Sequence, residues 1–178
     1  SPISTATKNR AISETDLALM DDGSASGFSR TTYQGLFNPS VRSIYENKGK
    51  VKETIEKRYG GSLPGTTVSE IELSDLDNYE DPEWIQYQVN IPRMASRPAG
   101  QPNRLIFRPV IFPNQMTRSF ARLPERKHEL LIPYNLSRFR RVEISLPEGY
   151  RVVQMPDSTE LKSSFGHYRM KCIQDNSK

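Results

Sequence analysis

Apolar and polar positions alternate most clearly between Arg141 and Met155. Val142, Ile144 and Leu146 alternate with Arg141, Glu143 and Ser145; Pro147-Glu148-Gly149 interrupts, and Tyr150 to Met155 alternates again before Pro156. That spacing predicts a strand, a turn and a second strand, with Val142, Ile144 and Leu146 on the buried face of antiparallel sheet. Near the start, Thr15, Leu17 and Leu19 alternate with Asp16 and Ala18, Asp21-Asp22-Gly23 suits a tight hairpin, and Ser24 to Gln34 returns as its second strand. Thr66 to Leu73 reads as another strand. Ile85, Tyr87, Val89 and Ile91 form a cleaner one, with Trp84 at its start and Pro92 at its end. Leu105 to Phe112 is apolar on both parities around Arg108 and Pro109, which fits a doubly buried strand or an edge. Leu130 to Ile132 suggests a short strand, and Arg118 to Glu129 has no assignable period. At the end, Tyr168, Met170 and Cys172 share one face of a last predicted strand.

One stretch follows a different period. Val41, Ile44, Tyr45, Val51, Ile55 and Tyr59 recur at helical spacing, with Glu53 and Lys57 four apart on the outside. Asn38 before Pro39 suits an N-cap and first helical position, and Gly60-Gly61 suits a stop. The pattern predicts an amphipathic helix packed on a sheet, or two shorter helices broken near residues 47–50 by Asn47 and Gly49. Ser74 to Glu83 is an acidic loop whose carboxylates bring calcium to mind, but it lacks the Gly and spaced Glu of an EF-hand, so it reads as a solvated connection.

Thirteen prolines against 10 glycines argue against a helical bundle and for many edges and loops. The fold class expected is mostly β (α+β), with antiparallel β-sandwich-like sheets and one amphipathic helix packed on a sheet. Three regions follow: a linker or tail over 1–12, a hairpin, helix and strand region over 13–115, and a C-terminal antiparallel β region over 116–178 that forms its own domain or shares the preceding one. Ser1-Pro2-Ile3-Ser4-Thr5 reads as the continuation of something upstream, so an excised fragment or processed product is expected. No apolar run reaches the roughly 20 residues of a transmembrane helix.

Chemistry is sparse. The lone Cys172 excludes an internal disulfide and a cysteine-based zinc site, and on an inward strand face it behaves as a small hydrophobe rather than a nucleophile. His128 and His167 have no third ligand grouped nearby, and no phosphate loop, nucleophile elbow or zinc-protease string occurs. Neither catalytic residue, metal nor cofactor is therefore expected. A formal net charge of +4 permits an anionic partner without demanding one. The candidate ligand face is Arg138, Arg140, Arg141 and Arg151 around Phe139 and Tyr150, an interleaving that an anionic-glycan or nucleic-acid groove would use. The plainer reading is an arginine-lined solvent face of a sheet, and the mild charge disfavours nucleic acid.

From Leu17 to Ile173 the order of these signals resembles the C-terminal region of bacterial transglutaminase-like proteins, where a papain-like core precedes an all-β domain of unknown function. The resemblance rests on Asp22-Gly23 with Gly35 and Arg42, on Asp81-Pro82 and Pro92, and on the ending. That ending comprises the run Arg126 to Pro133, Leu146-Pro147-Glu148-Gly149-Tyr150, Pro156 and Gly166-His167-Tyr168. It implies a periplasmic, outer-envelope or secreted bacterial protein whose chemistry resides upstream, this chain being an accessory domain that positions the catalytic core or binds protein or glycan. In that superfamily the Cys precedes its His and Asp; here Cys172 follows both histidines, so no catalytic residue carries over. The family domain usually continues past the position of Ile173. The competing class is a freestanding module for an anionic polymer. A third, a hydrolase in its own right, predicts turnover abolished by Cys172→Ser.

Overall fold

A computed structural model describes residues 6–109 and 134–175. It divides into two compact units, residues 1–147 and 148–178. The first unit is built on a five-stranded sheet. Its elements are β1 (Arg10–Leu19), β2 (Ala25–Tyr33), α1 (Asn38–Tyr45), α2 (Val51–Gly60), β3 (Thr67–Leu73), β4 (Glu83–Ile91), the two-residue strands β5 (Ala95–Ser96) and β6 (Ile106–Phe107), and β7 (Ser137–Ser145). The sheet order is β3-β4-β2-β1-β7. The expected mostly-β, α+β class with antiparallel sheets holds, with one exception in pairing: β7 runs parallel to β1.

The hairpin forms where Asp22-Gly23 places it. Gly23 has φ 88°, and Asp22 Oδ1 accepts from the Ser24 amide at 2.8 Å and the Ser24 hydroxyl at 2.6 Å, bonds that hold the Asp22 carboxyl below its ordinary value. Gly27 is required for another reason: a Cβ there would stand 1.9 Å from the Asp16 carbonyl oxygen of β1. The helical stripe is divided, as Asn47 and Gly49 allow, by a 3-10 turn at Lys48–Lys50. Val41, Tyr45, Val51, Ile55 and Tyr59 are buried, whereas Ile44, expected on the same stripe, is 40% exposed. Asn38 is not a cap; it lies inside the first turn, and its Oδ1 is buried with no hydrogen-bond partner among the described residues. The Glu53–Lys57 pair forms on the outer side at 2.6 Å.

Register places side chains in rows across the sheet. On the helix-covered face, Ile91, Ala25 and Leu19 make one apolar row, and Val68, Val89, Gly27, Leu17 and Ile144 the next. Tyr87, Ser29, Thr15 and Val142 follow, then Ile85, Thr31, Ser13 and Arg140, then Glu83, Tyr33, Ala11 and Arg138. This face thus grades from hydrocarbon through hydroxyls to charge. Its apolar end carries the hydrophobic stabilisation, roughly 1.5–3 kcal/mol for each large side chain fully buried.

The two edge strands differ. β3 shifts register between Ser69 and Glu72, with Glu70 at φ 50°, a bulge of the kind that blunts an edge. The strand expected over Leu105–Phe112 is shorter, two residues of β6 paired with β5; its last three residues, and the calls on 118–132, lie outside the described residues. Here β7 corrects the sequence reading. Val142 and Ile144 face the core as expected, but they pair with Thr15 and Leu17 of β1, and residues 150–155 form no strand. Pro147 and Pro156 bracket that segment, and proline cannot donate to a ladder.

The second unit holds a separate hairpin, β8 (Thr159–Ser163) with β9 (Gly166–Met170). Its strand ends before Cys172, which is half-buried, and Tyr168 is 50% exposed, so the inward face expected for these residues does not form. Glu160 gathers Arg169 at 3.0 Å, His167 at 2.7 Å and Lys162 at 3.2 Å. Hydrogen bonds from Arg169, then His167 and Lys162, hold its carboxyl down to about 2.

Candidate functional site

Strand alternation sorts the predicted ligand residues. Arg138 and Arg140 share the parity of Val142 and project on the helix-covered face, at the charged end of the graded rows. Phe139 and Arg141 project on the opposite face, where Phe139 is 53% exposed and Arg141 is bound to Glu143 at 2.5 Å and reaches Glu14 at 3.9 Å. Tyr150 and Arg151 belong to the second unit. On β7, alternation therefore brings Arg138 and Arg140 to one face and turns Phe139 and Arg141 to the other.

What joins Arg138 and Arg140 was not legible from their neighbours in sequence. The Arg138 guanidinium sits 5.2 Å over the Phe37 ring, and that ring lies 6.4 Å from Tyr33. Arg58, from α2, lies 5.3 Å over Tyr45 and within hydrogen-bonding reach of the Tyr33 hydroxyl. Arg140 is close enough to Arg138 and Tyr33 to feel both; burial, then the like charge of Arg138, lowers it from its ordinary value.

Beside them runs a chain of hydroxyls. Ser13 and Thr31 meet at 2.8 Å, Thr15 and Ser29 at 2.9 Å, and Tyr59 and Tyr87 at 3.0 Å, the last as an edge-to-face pair. Burial pushes the Tyr45, Tyr59 and Tyr87 phenols up, so all three stay protonated and able to donate. Paired hydroxyls satisfy one another inside a core.

Two further residues were missed. Glu83, expected in the solvated acidic loop, is the first residue of β4 and 0% exposed. Arg42 Nε donates to its Oε1 at 2.6 Å and the Ser74 hydroxyl to its Oε2 at 2.7 Å, while Tyr79 stacks on Arg42 at 4.0 Å. Parity supplied the one available signal, since Glu83 is in step with Ile85 and Tyr87. Asn9, expected in the tail, is buried: its side chain accepts from Leu36 N at 3.1 Å and donates to Asn135 O at 3.0 Å, tying the start of β1 to the approach to β7.

The opposite face of the sheet has no element packed over it among the described residues of the first unit. One row crosses all five strands as Glu72, Gln86, Arg30, Glu14 and Arg141, a ladder of alternating polarity with Gln86 donating to Glu72 at 2.7 Å. The neighbouring row is Trp84, Thr32, Ile12 and Phe139, and Arg30 lies 4.4 Å over Trp84. A shallow depression of about 340 Å³ on this face is lined by Asp16, Phe28, Gln88 and Glu143, away from the arginine group. Among the described residues no helix is long and apolar enough to cross a membrane.

The family model of a domain of unknown function, DUF3858, matches residues 103–178. No curated protein and no solved structure matches the chain. The matched region contributes β7 to a sheet whose other four strands lie before it.

Proposed function

We propose that this chain is a non-catalytic accessory β-module of a transglutaminase- or protease-like bacterial envelope protein, and that it docks a neighbouring protein surface through the sheet face opposite α1 and α2. The observation that carries the reading is the asymmetry of that sheet. One face is covered by α1 and α2, and the other presents the row Trp84, Thr32, Ile12 and Phe139 beside a solvated polar ladder. An aromatic and aliphatic row bordered by arginines is the composition of an interface centre with a polar rim. The domain-of-unknown-function match supports a modular origin, and the family resemblance supplies the envelope setting and the upstream catalytic partner.

The test begins with the reading frame on both sides of Ser1 and Lys178. A Cys, His and Asp core upstream makes the longer protein the object to assay, and hydrogen exchange should then show Trp84, Ile12 and Phe139 amides better protected there than in this chain alone. Equal protection would refute docking through this face. The chain alone should show no transamidation or hydrolysis, and Cys172→Ser should change nothing.

The competing reading is a freestanding module that binds an anionic glycan or nucleic acid through Arg138 and Arg140, which share one face of β7. Binding of that kind weakens steeply as salt rises, whereas apolar docking does not.

A further inference from the structure

We infer that the outer edge of β7 pairs antiparallel with the same strand of a second copy of this chain, joining two five-stranded sheets about a two-fold axis at Val142. Such a pair leaves the docking face open and stands whether or not docking does. The two ends of the sheet are unlike. β3 is bulged between Ser69 and Glu72, which makes it a poor template for another strand. β7 keeps an unbroken register with β1 from Ser137 to Ser145, and among the described residues no strand pairs with its other edge. The Ser137 amide donates to the Asn9 carbonyl at 2.8 Å, so Ser137 turns its backbone groups toward β1. Both backbone groups of a strand residue point the same way, and successive residues point oppositely. Arg138, Arg140, Val142 and Ile144 therefore offer their N–H and C=O groups outward, an open row of donors and acceptors.

Side chains select the partner and the register. A two-fold axis normal to the sheet keeps each face continuous, so residues of equal parity meet across it. Centring on Arg138, Arg140, Arg141 or Glu143 sets a charge against its own copy, and centring on Phe139 sets Arg138 against Arg140; like charges directly opposite oppose pairing. Centring beyond Glu143 leaves only a short ladder. Centring on Val142 pairs Phe139 through Ser145 and stands Arg141 opposite Glu143 of the second copy, twice over. Arg141 already meets Glu143 within its own strand at 2.5 Å, so the four charges alternate in sign around a square. On the helix-covered face Val142 meets its own copy, and the stem of Arg140 lies against Ile144 of the second copy. Val142 and Ile144 are only half-buried in the single chain although both pack on its core, and the second copy covers them. The axis also falls on an outward-facing residue, so Val142 exchanges two backbone hydrogen bonds with its counterpart, and each Arg140 exchanges two with the opposite Ile144.

The test follows the full chain by sedimentation equilibrium and amide hydrogen exchange as its concentration rises. A mass approaching twice the 20.4 kDa of one chain is expected. Protection should rise with concentration at the Arg140, Val142 and Ile144 amides, whereas the Arg141 and Glu143 amides, turned toward β1, should be protected throughout. Arg141→Glu and Glu143→Arg alter side chains that are 55% and 51% exposed. Each alone creates two like-charge oppositions per pair and should raise the dissociation constant about tenfold. An equimolar mixture of the two variants sets opposite charges together again at both positions and should associate as tightly as the unmodified chain. A chain that stays monomeric at its highest soluble concentration would overturn the inference. So would association that leaves the Arg140, Val142 and Ile144 amides unprotected, or a mixture that binds no tighter than either variant alone.

Discussion

Replacing Arg42 with leucine removes the cation from a fully buried carboxylate. Glu83 is 0% exposed, and its two oxygens are held by Arg42 and by the Ser74 hydroxyl at 2.7 Å. Breaking a buried pair by deleting one partner costs about 3–5 kcal/mol, because the remaining charge stays in a low-dielectric site. The lower end applies here, about 3 kcal/mol, since Ser74 remains as a donor. Urea denaturation followed at Trp84 is the assay. It is the sole tryptophan, it follows Glu83 directly, and its amide donates to the Ser74 hydroxyl at 3.0 Å, so its signal reports this unit. With a slope of about 1–3 kcal/mol per molar, the midpoint should fall by about 1–3 M. Adding Glu83→Gln to the Arg42→Leu variant should recover about 1–2 kcal/mol, because an amide costs less to bury than a carboxylate. A loss below about 1 kcal/mol, the range of an exposed pair, together with no recovery in the double variant, would refute the claim that this ion pair is desolvated.

Three other outcomes follow from the same geometry. Gly27→Ala should destabilise the β1–β2 hairpin by at least about 1–3 kcal/mol, since its Cβ would stand 1.9 Å from the Asp16 carbonyl; an unchanged melting temperature would contradict the close approach. Glu160 has a folded-state value depressed to about 2, so its contribution to the β8–β9 hairpin is present above the ordinary value of 4.5 and is lost as pH falls from there through about 2. Amide shifts of Thr159–Met170 across that window should show the loss, and Glu160→Gln should flatten the dependence. A fragment spanning only residues 103–178 should leave β7 unprotected in hydrogen exchange, because Val142 and Ile144 pack against a core whose fully buried members all precede residue 103. Protection of Arg140–Ile144 in that fragment equal to the full chain would show that the matched region folds without β1.

Local signals determined the local parts of this protein. Asp22-Gly23 placed the first hairpin, because its bonds close within a few residues. A period of two marked β1, β4 and the inward face of Val142 and Ile144, because each strand turns alternate side chains to opposite sides. Helical spacing marked the buried stripe, and Asn47 with Gly49 marked its break. Period, however, assigns a face and not a neighbour. Val142 suits any half-buried row; that it pairs with Thr15 across a parallel ladder, rather than with a strand after Gly149, was decided by tertiary structure.

The same limit governs the charged residues. Glu83 looks like one more loop carboxylate until Arg42, from a helix far back in the chain, is packed against it. Arg138 and Arg140 looked continuous with Arg141 and Arg151, but alternation turned Arg141 to the other face, and α2 brought Arg58 to Tyr33 instead. Coulomb and hydrogen-bond partners are chosen by distance in space, and a linear string of residues carries those distances only within a turn or a strand.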